Sequence, residues 1–393
     1  MSDLRIGVIG FGLRRNVAVE GHRPGQGSRI AAVCDPSPRA REEATQRLGP
    51  EVLTVSHVED LPVEDLDAVM VLTPDHTHLA VATWTLEAGL PTFCEKPLTT
   101  SVADADALLA TAHRTRTPLY VGHNMRHMPV VRQLKRIVDS GEIGRVRAIW
   151  CRHFVGEGGD FYFKDWHAER SKVGTLLLQK GAHDLDVIHW LAGGYTQAVS
   201  GVGDLAVYGD IQDRRDNSDR LMWDWHSRDT WPPTAQKELN PVVDVEDISM
   251  LTMRLEGGVL ASYQQCHFTP DYWRSYTVIG DAGRVENIGD GGGDHIVVHS
   301  SRYSSARTPD RVEVVARGDG GHGGADQALM TEFVRFVREG GRTDVSTVAA
   351  RQAVAVACTG AESLRGHGGL LPVPRLDPEL VDYFDAGQPG ARP

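Results

Sequence analysis

A chain of 393 residues that is 41% hydrophobic and 24% charged has ordinary globular composition, long enough for two or three domains. A formal net charge of −12 argues against a nucleic-acid scaffold and against docking on an anionic membrane. No apolar run approaches the ~18 residues of a bilayer span, and no charged-then-apolar leader precedes the first strand. The cysteines (Cys34, Cys94, Cys151, Cys266, Cys358) are dispersed, without a Cys-x-x-Cys pair. A reduced, cytoplasmic protein is expected, with no disulfide framework and no metal, since His183 and His189 are six apart on different faces of their helix.

The β-rich run Leu4–Ile9 predicts a strand that opens into Gly10-Phe11-Gly12 and a helix over Arg14–Gly21. A dinucleotide-binding turn wants glycines here, so that backbone N–H groups reach the pyrophosphate. Two of its three glycines are present. The third position holds Arg15, which cannot give close helix packing, and Arg14 or Arg15 would lie beside the phosphates. The strand Ile30–Cys34 ends in Asp35, roughly twenty residues on, where an acidic side chain accepts from the ribose hydroxyls. Asp35 would repel a 2′-phosphate, so NAD is expected over NADP. Its alternative role is to cap the helix Arg39–Leu48.

Strands Ala68–Leu72, Thr92–Cys94 and Leu119–Gly122 then alternate with a helix through Ala88 and another over Ala103–Thr115. Such alternation predicts a parallel, doubly wound sheet that binds ligands at the C-terminal strand ends. Thr73–His78, Glu95-Lys96-Pro97 and His123-Asn124 all fall on that edge.

After Asn124 the pattern changes. A helix Val130–Asp139, a strand Val146–Phe154 and an aromatic, charged loop Asp160–Lys172 lead to Gly174–Gly194. There the apolar run Leu176–Leu178 breaks into Gln179 and Lys180, and Gly181 ends it. Leu185, Ile188 and Leu191 recur at helical spacing, and Gly193–Gly194 stops the helix. His183 sits in its first turn, where the partial positive charge keeps an imidazole neutral as a base; its alternative role is a cap or a surface residue. Later strands (Gln197–Val202, Ile248–Leu255, Val259–His267, Ser275–Gly280, Arg284–Asn287, Ile296–His299, Val312–Val315) predict a large open, mainly antiparallel sheet. Helices Ala325–Glu339 and Val345–Leu364 close this half. The expected fold is therefore a Rossmann α/β domain over 1–124, then an α+β substrate-binding and oligomerisation domain over 125–393. The open sheet would expose Val, Tyr and Phe, predicting a homodimer or homotetramer. Tyr272, Trp273 and Arg274 read as sheet packing or a subunit contact. Asp204–Asn240, with Trp223, Trp225 and Trp231, and the glycine-rich Asn287–Asp294 fit neither helix nor strand, and Asp385–Pro393 reads as a frayed tail.

These residues resemble the glucose–fructose oxidoreductase, inositol dehydrogenase and MocA family (Gfo/Idh/MocA) over nearly the whole chain. The marks are Gly10-Phe11-Gly12, Glu95-Lys96-Pro97-Leu98, Gly122-His123-Asn124-Met125-Arg126, and His183-Asp184-x-Asp186 in a helix ending in Trp190-Leu191. The resemblance implies NAD(P)-dependent oxidation of a secondary alcohol, usually on a sugar or polyol. It implies that Lys96, often joined to Pro97 by a cis peptide, hydrogen-bonds the reacting hydroxyl, and that His183 is the catalytic histidine. Many members carry an aspartate four residues before that histidine. Here Gln179 stands there, followed by Lys180, as in a subgroup that also carries Trp166-His167 and His322-Gly-Gly-Ala-Asp326.

The catalytic candidates are thus Lys96, His183 and Lys180. Cofactor contacts are expected from Gly10, Phe11, Gly12, Leu13, Arg14, Asp35, Thr73, Pro74, His76, His78, Glu95, Lys96 and Asn124. Substrate contacts are expected from Arg126, Trp166, His167, Arg170, Gln179, His322 and Asp326. Hydride transfer needs a carbinol carbon against the nicotinamide and a base for its hydroxyl proton. Lys180 would lower the histidine's pKa or bind a substrate hydroxyl or carboxylate; its alternative is a salt bridge to Asp184. A tryptophan face at Trp166 suits the C–H face of a sugar ring. Asp326 would otherwise cap its helix. The expected activity is NAD(P)-dependent oxidation of a sugar, glycoside or cyclitol in a cleft between the domains. Two alternatives are an NAD-retaining enzyme that cleaves glycosides by transient oxidation and elimination, and a non-catalytic NAD- or sugar-binding regulator.

Overall fold

Short, fully apolar runs separated by helices can pair only as parallel strands covered on both faces. The computed structural model, which describes residues 2–305 and 307–391, contains such a sheet in the first of two compact units. Strands β1 (Leu4–Ile9), β2 (Ser28–Cys34), β3 (Leu53–Val55), β4 (Ala68–Val71), β5 (Thr92–Cys94) and β6 (Leu119–Val121) pair in the order β3-β2-β1-β4-β5-β6, all parallel. This is the dinucleotide-binding order, with its reversal between β1 and β4. Helices α1 (Arg15–Gly21), α2 (Pro38–Leu48), α3 (His78–Glu87) and α4 (Val102–Thr115) make the connections. β3, short and half-exposed, escaped the sequence reading.

The second unit begins with α5 (Pro129–Asp139) and β7 (Val146–Val155). The segment expected as a loop over Asp160–Lys172 instead holds short helices, α6 (Gly158–Tyr162) and α7 (Arg170–Val173), with a 3-10 turn between them over Trp166–Ala168. The Asp165 carboxylate starts that turn by accepting from the His167 N–H at 3.1 Å. Then come α8 (Leu176–Gln179), α9 (Ala182–Ala192), β8 (Thr196–Asp204), β9 (Ile248–Leu255), β10 (Leu260–Cys266), β11 (Tyr272–Gly280), β12 (Arg284–Ile288), β13 (His295–His299) and β14 (Arg311–Val314). The chain ends with α10 (Ala325–Glu339), α11 (Thr347–Arg365), β15 (Leu371–Pro372) and α12 (Pro378–Asp385). The second sheet has the order β14-β13-β12-β11-β7-β10-β9-β8-β15; β7 and β10 run parallel and the other neighbours antiparallel. β9 buries every second residue, as a one-sided sheet requires. Its open face carries Trp150, Val202, Met250 and Leu260. Of the tyrosines in these strands, Tyr263 and Tyr276 are fully buried and Tyr272 is partly exposed.

The boundary at 124/125 does not describe how the chain divides. Residues 320–351 and 375–393 group with 1–127, and residues 128–319 and 352–374 form the second unit. The cause is the apolar stripe of α10. Leu329, Met330, Phe333, Phe336 and Val337 join one core with Ile6, Val8, Met70, Phe93 and Tyr120 of the parallel sheet. Phe333 meets the rings of Phe93 and Tyr120 at 5.5 and 5.6 Å. A Cβ on Gly21 would lie 2.8 Å from Met330, so α1 approaches α10 through a glycine.

The tail is not frayed where it is described. The Gln388 side chain accepts from the Leu119 N–H at 2.9 Å and donates to the Leu119 carbonyl at 2.8 Å, pairing with the β6 backbone as a strand would. Residues 392–393 lie outside the described residues. No helix among the described residues is long and apolar enough to cross a membrane.

Candidate active site

In the first unit the turn after β1 is set by Gly10. Its φ is +89°, and a Cβ there would lie 2.9 Å from the backbone of Leu72 and Thr73. A Cβ on Gly12 would meet nothing within 4 Å. Among the described residues the N–H groups of Gly12 and Leu13 find no acceptor. An open backbone with unspent donors fits a dinucleotide phosphate. Phe11 does not offer its amide: that N–H donates to Asp35 Oδ2 at 2.8 Å, and its ring is buried. Asp35 Oδ1 accepts from the Ser37 N–H at 2.8 Å, while the cap of α2 is Ser37. Asp35 therefore braces the turn rather than capping the helix.

Neither arginine of the turn is unspent. Arg14 donates to Glu95 at 2.6 Å and to Asp326 at 3.2 Å. Arg15 donates to the Gly12 carbonyl and pairs with Glu43 at 2.7 Å. Glu95 also accepts from the Lys96 N–H at 2.6 Å, so one carboxylate ties the glycine turn to the lysine segment. The Lys96–Pro97 bond is cis. Asn124 donates to Asp326 at 2.7 Å, and His322 meets the other Asp326 oxygen at 2.9 Å. Burial would raise the Asp326 pKa, but His322 and Arg14 hold it well below the usual carboxylate range. Asp326 thus does not cap α10; it lies in the first unit and gathers Arg14, Asn124 and His322.

His78 is not a cofactor ligand. Its ring nitrogens meet the Pro97 carbonyl at 2.8 Å and the Thr73 carbonyl at 2.9 Å, and it is buried. Two carbonyl acceptors demand two N–H donors, hence an imidazolium. Burial opposes that charge, but Cys94, Asp75 and the Pro97 carbonyl outweigh it and raise the pKa to about 10. His78 is a clamp between two strand ends. Thr73 accepts from Thr77 at 2.7 Å, Pro74 is half-buried, and His76 and Leu13 are exposed. Arg126 is buried and donates to the Asp344 carbonyl at 2.6 Å.

In the second unit α9 starts immediately after α8, with His183 in its first turn. Gly181 makes this possible: a Cβ there would lie 2.4 Å from the Leu177 carbonyl and 2.9 Å from the Tyr263 ring. Gln179, Lys180 and His183 are all buried. Asp184 is not the partner of Lys180. It accepts from His153 Nδ1 at 2.8 Å, Tyr263 Oη at 3.0 Å and Tyr276 Oη, and it pairs with Arg274 at 3.1 Å. Burial would raise its pKa, but His153 and Arg274 hold it well below the carboxylate range. Burial, then Arg274, push His153 down to about 3, so its imidazole is neutral.

Lys180 instead donates to Tyr272 Oη at 2.6 Å and lies over the rings of Tyr162 and Tyr272. Burial works against the Tyr272 anion, but Lys180 and Arg274 prevail and hold this phenol below its ordinary value. Tyr272, Arg274 and Tyr276 alternate along β11 and so share the face toward α9. The sequence reading had Tyr272, Trp273 and Arg274 as packing or a subunit contact. The signal available was a period-two run of polar residues, two tyrosines around an arginine, on a strand.

Trp166 stacks on His167 with centroids 3.8 Å apart, and His167 Nδ1 meets Asp165 at 2.6 Å. Arg170 is held by Asp244 through both its N–H and its guanidinium. The Asp204–Asn240 segment braces these elements. Trp225 donates to the Asp160 carbonyl at 2.9 Å, Gln236 to its carboxylate at 2.7 Å, and Phe163 stacks on Tyr208 at 4.3 Å. Among the described residues no three His, Cys, Asp or Glu side chains are placed to hold a metal ion.

Comparisons with known proteins agree with this architecture. Residues 4–123 match the model of an oxidoreductase family with an NAD-binding Rossmann fold, and residues 131–286 match a Gfo/Idh/MocA C-terminal domain. The putative oxidoreductase YteT of Bacillus subtilis is 25% identical over 327 residues, 72% of this chain and 76% of that protein. An inositol 2-dehydrogenase of Rhodococcus erythropolis is 39% identical over 158 residues, 38% of this chain and 44% of its own. Inositol 2-dehydrogenase 1 of Saccharopolyspora erythraea is 31% identical over 191 residues, 48% of this chain and 54% of its own. The chain thus matches about half the length of these inositol dehydrogenases. Levoglucosan dehydrogenase, solved with NADH and levoglucosan, has the same fold, with a TM-score of 0.76 at 20% identity over 95% of this chain and 100% of that one. The myo-inositol 2-dehydrogenase of Lactobacillus plantarum gives 0.71 at 19% identity over 95% and 100%. Both parts of one family architecture follow each other in order, and the chain belongs to the Gfo/Idh/MocA oxidoreductases, with an NAD-binding Rossmann domain.

Proposed function

We propose that this protein is a dehydrogenase that oxidises a secondary alcohol of a sugar, glycoside or cyclitol. The observation that carries this reading is the lysine segment after β5. There Glu95 binds both the glycine turn, through Arg14, and the Lys96 backbone. A nicotinamide dinucleotide supplies the hydride acceptor when bound. The chain's own residues do the rest. Gly12 and Leu13 bind phosphate, Asp35 accepts from the adenine ribose, and Lys96 holds the reacting oxygen. His183 takes the hydroxyl proton, and Lys180 sets the charge around the substrate. The test is a screen of hydroxylated sugars, glycosides and cyclitols, followed by NADH absorbance. Turnover of none of them would defeat the reading.

The proposed cofactor is NAD rather than NADP. Asp35 is a carboxylate at the end of β2, where it would repel a 2′-phosphate. Asp35→Ala is expected to weaken NAD binding by about 1–3 kcal/mol, checked by fluorescence titration. Equal or tighter NADP binding by the native protein would argue against the assignment.

A homodimer or homotetramer is proposed as well, built through the open face that carries Trp150, Val202, Met250 and Leu260. Soluble monomers seldom leave such faces in water. Light scattering at micromolar concentration is expected to give at least twice the monomer mass; a monomer would refute it.

A further inference from the structure

Lys180 is a buried ammonium with no counter-ion. Its side chain is only 8% exposed as a residue, yet no acidic side chain among the described residues reaches it at ion-pair distance. Asp184 and Asp290 of the same unit both pair with Arg274, at 3.1 and 3.6 Å. Asp160 pairs with Lys164 at 3.1 Å. The groups that touch Lys180 are the Tyr272 hydroxyl at 2.6 Å and the faces of Tyr162 and Tyr272 at 5.7 and 5.2 Å, and the charge that acts on it from Arg274 is also positive. An unpaired buried charge is costly, and proteins ordinarily pair it.

A second observation marks the same place. His153 Nε2 and both ring nitrogens of His267 are buried with no hydrogen-bond partner. These rings flank the two tyrosines that flank Lys180, with His153 5.8 Å from Tyr272 and His267 5.1 Å from Tyr162. Unmet polar groups beside an unmet charge describe a site short of a polar, anionic occupant. Tyr272 itself is 42% exposed.

We propose that the missing counter-ion is a carboxylate of the substrate, so that the dehydrogenase proposed above acts on sugar acids, uronic or aldonic, in preference to neutral sugars. The carboxylate would accept from Lys180 Nζ and from the Tyr272 hydroxyl. His153 donates its Nδ1 proton to Asp184, so its Nε2 is an acceptor and suits a sugar hydroxyl. A single uncompensated positive charge matches a carboxylate. A phosphate monoester carries about −1.5 to −2 and would overfill the site.

The inference rests on the proposed function, so the test reads binding and turnover separately. The native protein with NADH is titrated calorimetrically with glucuronate against glucose and galacturonate against galactose, with glucose 6-phosphate as the phosphate control. The same compounds are then assayed with NAD for turnover. The acids are expected to bind about tenfold to a hundredfold more tightly than their neutral partners, the range of a charge-assisted hydrogen bond. Lys180→Met should collapse that ratio. If that variant does not fold, Tyr272→Phe should reduce the ratio while leaving the ammonium in place. Acids that bind preferentially but are not oxidised would leave the inference standing and defeat the proposed function. Neutral sugars that bind and turn over as well as the acids would do the reverse, and would mean that the Tyr272 phenolate is the counter-ion. A preference for the phosphate over the acids, or no binding by any compound, would also overturn the inference.

Discussion

Replacing Lys96 or His183 by alanine is expected to lower kcat by about 10²–10⁴-fold, the usual cost of losing a general base or the group opposite it. NAD binding should survive both changes, because the backbone donors of Gly12 and Leu13 and the Asp35 carboxylate are untouched. The assignments differ in what they ask of each side chain. Lys96 must stabilise negative charge as hydride leaves, so its loss should fall on kcat more than on KM. His183 must be neutral to accept a proton. Its place in the first turn of α9 favours that state, since the helix N-terminus disfavours a cation. Gln179 has no carboxylate with which to orient an imidazolium, so Gln179→Ala should cost far less than either. The check is steady-state kinetics across pH with the best compound of the screen. Native turnover by His183→Ala at neutral pH would move the proton assignment to Lys180, Tyr272 or His167.

The second large effect is on stability. Asp184→Ala is expected to destabilise the second unit by about 3–5 kcal/mol, the range for removing one partner of a buried ion pair. Asp184 is fully buried and serves four groups at once: His153, Tyr263, Tyr276 and Arg274. Without it, Arg274 keeps Asp290 at 3.6 Å, His153 and Tyr276 lose their acceptor, and Tyr263 is left with Gln265 Oε1 at 3.0 Å. The native-state pKa of Asp184 lies below its ordinary value of 3.8. Its contribution is therefore fully present above that value and is lost as pH falls through the lower, native-state value. The difference between Asp184→Ala and the native protein, read as a shift in the urea midpoint at constant slope, should be full at pH 7 and narrow only in strong acid. An equal difference at both extremes, or a shift under about 1 kcal/mol at pH 7, would show that the network is not the anchor its geometry indicates.

The amino-acid sequence by itself determined the local elements and the edge on which chemistry collects. Strand–helix alternation over the first part, and alternation of buried and exposed residues in the later strands, are periodicities a chain carries before it folds. So are the glycine turn, the Glu95-Lys96-Pro97 segment and the break before His183. What these patterns cannot name is the partner. The stripe Leu329–Val337 is equally apolar against either sheet, and only packing assigned α10 to the first unit. His78 looked like a ligand on the strand edge until both its nitrogens met carbonyls. Asp326 looked like a helix cap or a substrate contact until Arg14, 312 residues away in sequence, met it. Lys180 and Tyr272 are 92 residues apart, and nothing in either neighbourhood announces the other. Charge pairing in a core is fixed by which side chains the sheet register brings face to face, and register is a property of the assembled strands. Tertiary structure alone therefore decided that Asp184 is spent on Arg274 and that Lys180 is left without a counter-ion.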